Sequence, residues 1–216
     1  MKRIIGVLAL AFVFIFPCPV SSLEPAGKFG VYGGISYIVP QKKFMRSNYD
    51  NAFSIINVDF PPVGVELGVL YRLSTSVDLM LDVGARRHIL KAKDGLQHAG
   101  NLRIFPAAIV ARRVWRFESG ENPYAAIGSA VYWSRFSTNL IITGELDPTP
   151  LGEYGVVKNY FGIGAIGEAG LLERLSEKLY LDLGIRYDFT RLGDSQDGGL
   201  GNIGGVQFKL KTIYYF

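Results

Sequence analysis

The sequence is nearly devoid of cysteine and histidine, and it contains no hydrophobic run long enough to cross a bilayer as a helix. One cysteine, Cys18, and two histidines, His88 and His98, occur in 216 residues. Cys18 falls in an amino-terminal leader, so the chain beyond it carries no thiol, no disulfide and no cysteine metal site. The longest apolar stretch, Ile4 to Phe16, falls short of the roughly 20 residues a membrane helix needs. An excess of one charge is missing too. Lys and Arg number 23 against 19 Asp and Glu, which gives nucleic-acid binding no support.

The leader has the grammar of a secretory signal peptide. Lys2 and Arg3 precede the apolar run, Pro17 breaks it, and Ser21 and Ser22 follow. Cleavage after Ser22, with Val20 and Ser22 at the small-residue positions, divides the chain into a signal peptide, 1–22, and one domain, 23–216. A lipoprotein would need a small residue before Cys18, where Phe16 and Pro17 stand. Loss of Lys2 and Arg3 leaves 21 basic residues against 19 acidic ones, a net charge of +2.

What the domain does have is alternation of period two, the mark of strands with two unlike faces. In Val63 to Leu73 one face carries Val63, Val65, Leu67, Val69, Tyr71 and Leu73, and the other Gly64, Glu66, Gly68, Leu70 and Arg72. The same separation recurs in 77–90 and 179–190. Strands are expected at 27–39, 62–73, 76–90, 102–117, 124–137, 156–174, 178–191 and 203–216, with Pro106 and the pair Arg112–Arg113 suggesting a bulge in the fourth. The connections alternate long and short: 40–61, 91–101, 138–155 and 192–202 against 74–75, 118–123 and 175–177. Up-and-down barrels of the outer membrane show this asymmetry. The expected fold is therefore all-β, an eight-stranded antiparallel up-and-down transmembrane β-barrel with both termini on the short-turn side.

The composition of the polar face points it inward. It mixes Gly64, Gly68, Gly84, Gly164 and Gly184 with balanced Asp, Glu and Arg, which suits a narrow lumen filled by side chains. Charges there must pair, and the candidates are Glu66, Asp78, Asp82, Glu168 and Asp182 against Arg72, Arg86, Arg103, Arg186, Lys209 and Lys211. Aromatic girdles are expected at both membrane boundaries. Phe29, Tyr71, Trp115, Phe117, Tyr124 and Tyr180 are assigned to the turn side, and Tyr37, Trp133, Phe136, Phe161, Tyr187 and Phe189 to the loop side.

The last strand places Val206, Phe208, Leu210, Thr212, Tyr214 and Phe216 on one face and ends in phenylalanine. This resembles the carboxy-terminal signal of outer-membrane proteins, carried here by Phe208, Leu210, Tyr214 and Phe216. With the leader and the strand count, the chain resembles the small OmpA-type and OmpX-type barrels over the whole domain. The resemblance implies an outer-membrane location and insertion by the barrel assembly machinery. It carries no family-specific functional motif.

Chemistry has little to stand on. Gly162-Ile-Gly164-Ala-Ile-Gly167, with Asp182 further on, satisfies a dinucleotide-binding pattern. The preceding hundred residues read as strand after strand, however, so the glycines fit better as lumen-lining residues beside Glu168. A lipid A deacylase resemblance would need a histidine two residues before a serine, which neither His88 nor His98 provides. His88, His98 and Asp94 lack tight metal-ligand spacing. No cofactor, no metal and no catalytic residue is assigned.

Positive charge gathers on the loop side at Lys42, Lys43, Arg46, Arg87, Lys91, Lys93 and Arg135. Arg87, Lys91 and Lys93 are the candidate contacts to lipopolysaccharide phosphates. The expected partners are outer-membrane lipid, lipopolysaccharide and, during insertion, the assembly machinery, with the chain a monomer. The leading expectation is a non-enzymatic barrel with a structural, envelope-integrity or surface-interaction role. The alternatives are a porin-like conduit for small solutes and, behind it, a lipid-modifying enzyme at the rim.

Overall fold

The structure is a computed structural model and describes residues 28–39, 63–91, 98–144, 147–192, 201–202 and 204–216. The leader, Lys93 and most of three loop-side connections lie outside them. Eight strands form the fold: β1 (Phe29–Val39), β2 (Val63–Ser74), β3 (Val77–Lys91), β4 (His98–Val114), β5 (Glu121–Gly144), β6 (Asp147–Arg174), β7 (Leu179–Leu192) and β8 (Val206–Tyr215). A two-residue piece, Gly201–Asn202, pairs with β7 just ahead of β8.

Each strand is antiparallel to its sequence neighbour, and β7 pairs both with β8 and with this extra piece. One further pairing, β1 with β8, closes the sheet and leaves no edge free along the wall among the described residues. Closure matters because an unpaired edge inside hydrocarbon would leave backbone N–H and C=O groups unsatisfied.

The stagger of the closed sheet can be counted. Phe29 pairs with Tyr71, Tyr71 with Leu79, Leu79 with Ala111, Ala111 with Ile127, Ile127 with Gly167, Gly167 with Tyr187 and Tyr187 with Val206. Val206 returns to β1 at Val39, so one circuit advances ten residues, from 29 to 39. With eight strands that stagger tilts each strand about 40° from the barrel axis, within the usual range for such cylinders.

Alternation decides the faces. In β8 burial switches at every residue from Val206 to Tyr215, and β7 repeats the pattern from Asp182 to Thr190. The outward residues are large and apolar: Leu67, Ile163 and Phe161 are 64%, 69% and 64% exposed. The inward residues fill the lumen with Tyr32, Leu70, Met80, Val110, Tyr124, Tyr132 and a set of charged side chains.

Several expectations change. β4 carries no bulge at Pro106 or Arg112–Arg113, because its register with β5 runs unbroken from Asn101↔Ser137 to Val114↔Tyr124. Pro106 acts on the other side. The pairs with β3 pass from Val83↔Ala107 directly to Arg86↔Ile104, as expected where a residue without an N–H interrupts the ladder. The segment 138–155, read as a loop, is mostly a β-ribbon. β5 and β6 stay paired as far as Gly144↔Asp147, with register shifts near Ile142.

Tyr124 and Tyr180 are not girdle residues. Both sit at inward positions and are buried. The turn-side belt is instead Phe29, Tyr71, Trp115, Phe117, Tyr214 and Phe216. On the loop side Tyr37, Phe105, Trp133, Phe161, Tyr187 and Phe189 are exposed on the wall, while the side chain of Phe136 lies outside the described residues.

Candidate functional site

The site with the most unusual chemistry is the lumen itself. A strand that must present aliphatic residues on one face has only its other face for polar ones, so closing the sheet concentrates them along the axis. Among the described residues seven cations and six carboxylates meet there in ion pairs.

They form two webs. The first starts at the turn side, where Asp78 of β3 receives Arg112 of β4 at 2.8 Å, with Arg72 of β2 and Arg116 each at 3.5 Å. Arg112 also reaches Asp182 of β7 at 3.0 Å. Lys211 of β8 links Asp182 at 3.9 Å to Glu168 of β6 at 2.9 Å. Lys209 then joins Glu168 at 3.2 Å to Glu66 of β2 at 2.6 Å. The second web lies nearer the loops. Arg186 bridges Asp82 at 3.0 Å and Asp188 at 2.6 Å, and Asp188 also accepts from Arg86 at 2.7 Å and from the Gln207 amide at 2.6 Å.

Tyrosines and glycines complete the packing. The Tyr124 hydroxyl lies 2.7 Å from Asp182 and 2.9 Å from Glu168. The Arg72 guanidinium stacks 4.3 Å above the Tyr215 ring, and the Lys211 ammonium stands 5.4 Å from that of Tyr32. Glycines leave room for these rings. A Cβ on Gly170 would stand 2.8 Å from Tyr124 Cε1, and one on Gly164 2.9 Å from Tyr132 Cε2. Cβ atoms on Gly68 and Gly184 would run into Tyr32 and the Tyr124 hydroxyl.

Asp78, Arg112 and Asp182 have no measurable exposure. Taking such charges out of water costs several kcal/mol per ion unless each is paired and held in good geometry. The arrangement therefore fixes these charges against one another.

Of the candidates for this network, Glu66, Arg72, Asp78, Asp82, Arg86, Glu168, Asp182, Arg186, Lys209 and Lys211 all lie inside and in contact. Arg103 does not. It is exposed on the outer wall, between the inward residues Leu102 and Ile104. The residues of β4 that flank Arg103, Leu102, Ile104 and Phe105, are apolar on both faces, so period two alone left its phase open. Arg112, Arg116, Asp188, Gln207 and Tyr124 belong to the network and were not among the candidates. Asp188 was readable from the alternation of β7, while Arg112 was obscured by its neighbour Arg113, which is also buried and stands over the Trp115 ring.

The remaining assignments fall elsewhere. Phe208, Leu210, Tyr214 and Phe216 all face outward, and the Phe216 N–H donates to the Phe29 carbonyl at 2.9 Å. Arg87 is exposed on the wall. The side chain of Lys91 and all of Lys93 lie outside the described residues, as does the side chain of His88. The glycine pattern 162–167 runs as strand within β6, with no helix after it: the strand continues to Arg174 and gives way to a turn.

Solved structures match this architecture. OprG of Pseudomonas aeruginosa aligns with a TM-score of 0.57 at 14% identity, over 89% of this chain and 97% of that one. The fold is that of the small outer-membrane β-barrels. Neisserial surface protein A aligns with a TM-score of 0.53 at 15% identity, over 89% of this chain and 100% of its own. Ail, the attachment invasion locus protein of Yersinia pestis, aligns with a TM-score of 0.53 at 14% identity, over 88% of this chain and 99% of its own. No protein-family model and no curated protein sequence matches the chain.

Proposed function

We propose that this chain is an integral outer-membrane barrel without enzymatic activity. In this reading it serves envelope integrity or surface interaction through its loop side, and its lumen does not conduct. The observation that carries this reading is the inversion of its surfaces: aliphatic and aromatic side chains outside, paired charges inside. Soluble monomers rarely expose contiguous apolar patches beyond a few hundred Å². Here apolar residues line the wall on all eight strands, and hydrocarbon is the solvent that suits them.

The charge webs argue against a conduit. Ions or solutes would have to displace Arg112, Lys211 and Arg186 from carboxylates that meet them at 2.6–3.0 Å. The experiment is reconstitution of the leaderless protein into planar bilayers. The expected trace is flat at every applied voltage, and reproducible single-channel steps would overturn the closed-lumen reading. Mass spectrometry of lipid A from cells with and without the protein tests the other half, with unchanged acyl chains expected.

A further inference from the structure

We propose that the loop-side end of β3, β4 and β5 is a binding site on the outer wall for an anionic lipid phosphate, gripped by Arg87, Arg103 and Arg135. The inference rests on the membrane reading above and deepens it. The three arginines are register partners on adjacent strands, Arg87 opposite Arg103 and Arg103 opposite Arg135. All three are exposed on the outside.

Cross-strand neighbours stand about 5 Å apart at the backbone, and like charges so placed repel. Among the described residues no carboxylate forms an ion pair with any of them. Arg87 is held by Asn101, whose amide oxygen accepts from its Nε at 3.1 Å and its Nη2 at 2.8 Å. Among the described residues the row thus offers three guanidinium groups with no carboxylate paired to them, the geometry that bidentate phosphate recognition uses.

What lies below the row says that the phosphate belongs to a lipid. Two residues toward the turns, Phe105 and Trp133 stack with centroids 5.1 Å apart, and Phe161 pairs with Trp133 on the next strand. Aromatic residues of this kind mark the headgroup boundary. Two residues further, an apolar groove of about 820 Å³ opens in the wall. It forms because the outward residues Ala107, Ser129 and Ala165 are short while Val83, Val131 and Ile163 around them are not. Arg103 stands four residues, about 13 Å along β4, from Ala107. Headgroup, boundary and acyl chain would each meet matching chemistry in that order.

Tryptophan quenching tests this. Trp133 sits beneath the arginine row and Trp115 at the opposite rim, so Trp115→Phe and Trp133→Phe give one reporter for each end. Each protein is reconstituted in phosphatidylcholine vesicles containing brominated phosphatidic acid or brominated phosphatidylcholine as the quencher. At Trp133 phosphatidic acid is expected to associate about tenfold more strongly than phosphatidylcholine, with little preference at Trp115. Replacing Arg87, Arg103 and Arg135 together by Gln should abolish the preference at Trp133.

Equal association of the two lipids at Trp133, or a preference that survives the triple replacement, overturns the proposal. Quenching by brominated phosphatidylcholine checks that each variant is inserted. If that lipid quenches neither tryptophan of the unaltered barrel, it is the membrane reading itself that fails.

Discussion

Asp78 and Arg112 face each other across β3 and β4 as register partners, and inside the barrel two guanidinium nitrogens of Arg112 meet a single Asp78 oxygen at 2.8 and 3.2 Å. Neither side chain touches solvent. Arg112 also holds Asp182, so it joins the carboxylates of two strands on different sides of the lumen.

Removing it should leave both acids buried beside too little positive charge. Arg112→Ala is expected to lower the unfolding free energy by about 3 kcal/mol, read by urea titration of the barrel in lipid vesicles. Asp78→Asn in the same background should cost much less than it does alone. Additive losses would mean that the pair is not coupled.

Gly184 lies where the Tyr124 hydroxyl needs space. Gly184→Ala should therefore drive Tyr124 away from Asp182 and Glu168 and destabilise the barrel by about 1–3 kcal/mol. Tyr124→Phe removes the clashing oxygen. The double variant should recover part of the loss, and a double variant worse than the sum of the two singles would show that the crowding is with something else.

Leu67 is 64% exposed near the middle of β2. In water, Leu67→Arg would be close to neutral. Against hydrocarbon near the bilayer midplane it should cost about 2–4 kcal/mol. Folding equilibria in lipid vesicles distinguish the two, and a neutral result would place that face in water.

Phe216 lies beside Phe29 on the outer face. If it serves recognition during assembly, Phe216→Ala should reduce the amount reaching the outer membrane in cells while unfolded protein still refolds into lipid vesicles with normal yield. Equal loss in cells and in vitro would assign Phe216 to stability alone.

The sequence was most informative where one face is uniformly apolar and the other polar, as in Val63–Leu73 and Leu179–Thr190. It was least informative on β4. There Leu102 and Ile104 inside and Phe105 and Ile109 outside are alike in character, so the direction of Arg103 could not be read. The tyrosines posed a similar problem, because a ring near a strand end suits a membrane belt and a glycine-lined lumen equally well. Tyr124 was misassigned for that reason, while Tyr71, on a cleanly alternating strand, was not. The β-ribbon of 138–155 escaped notice because its alternation is weak, and its register shifts twice near Ile142.

Side-chain direction in a strand is a local property that repeats every two residues. The sequence alone therefore determined the all-β class, the strand count and the sign of each well-patterned face. Which cation meets which carboxylate depends on residues more than a hundred positions apart, as with Arg186 and Asp82. Only closure of the sheet with its ten-residue stagger sets those heights against one another. The pairing of β3 with β4 and of β4 with β5 brought Arg87, Arg103 and Arg135 into one row, a relation no reading of single strands contains.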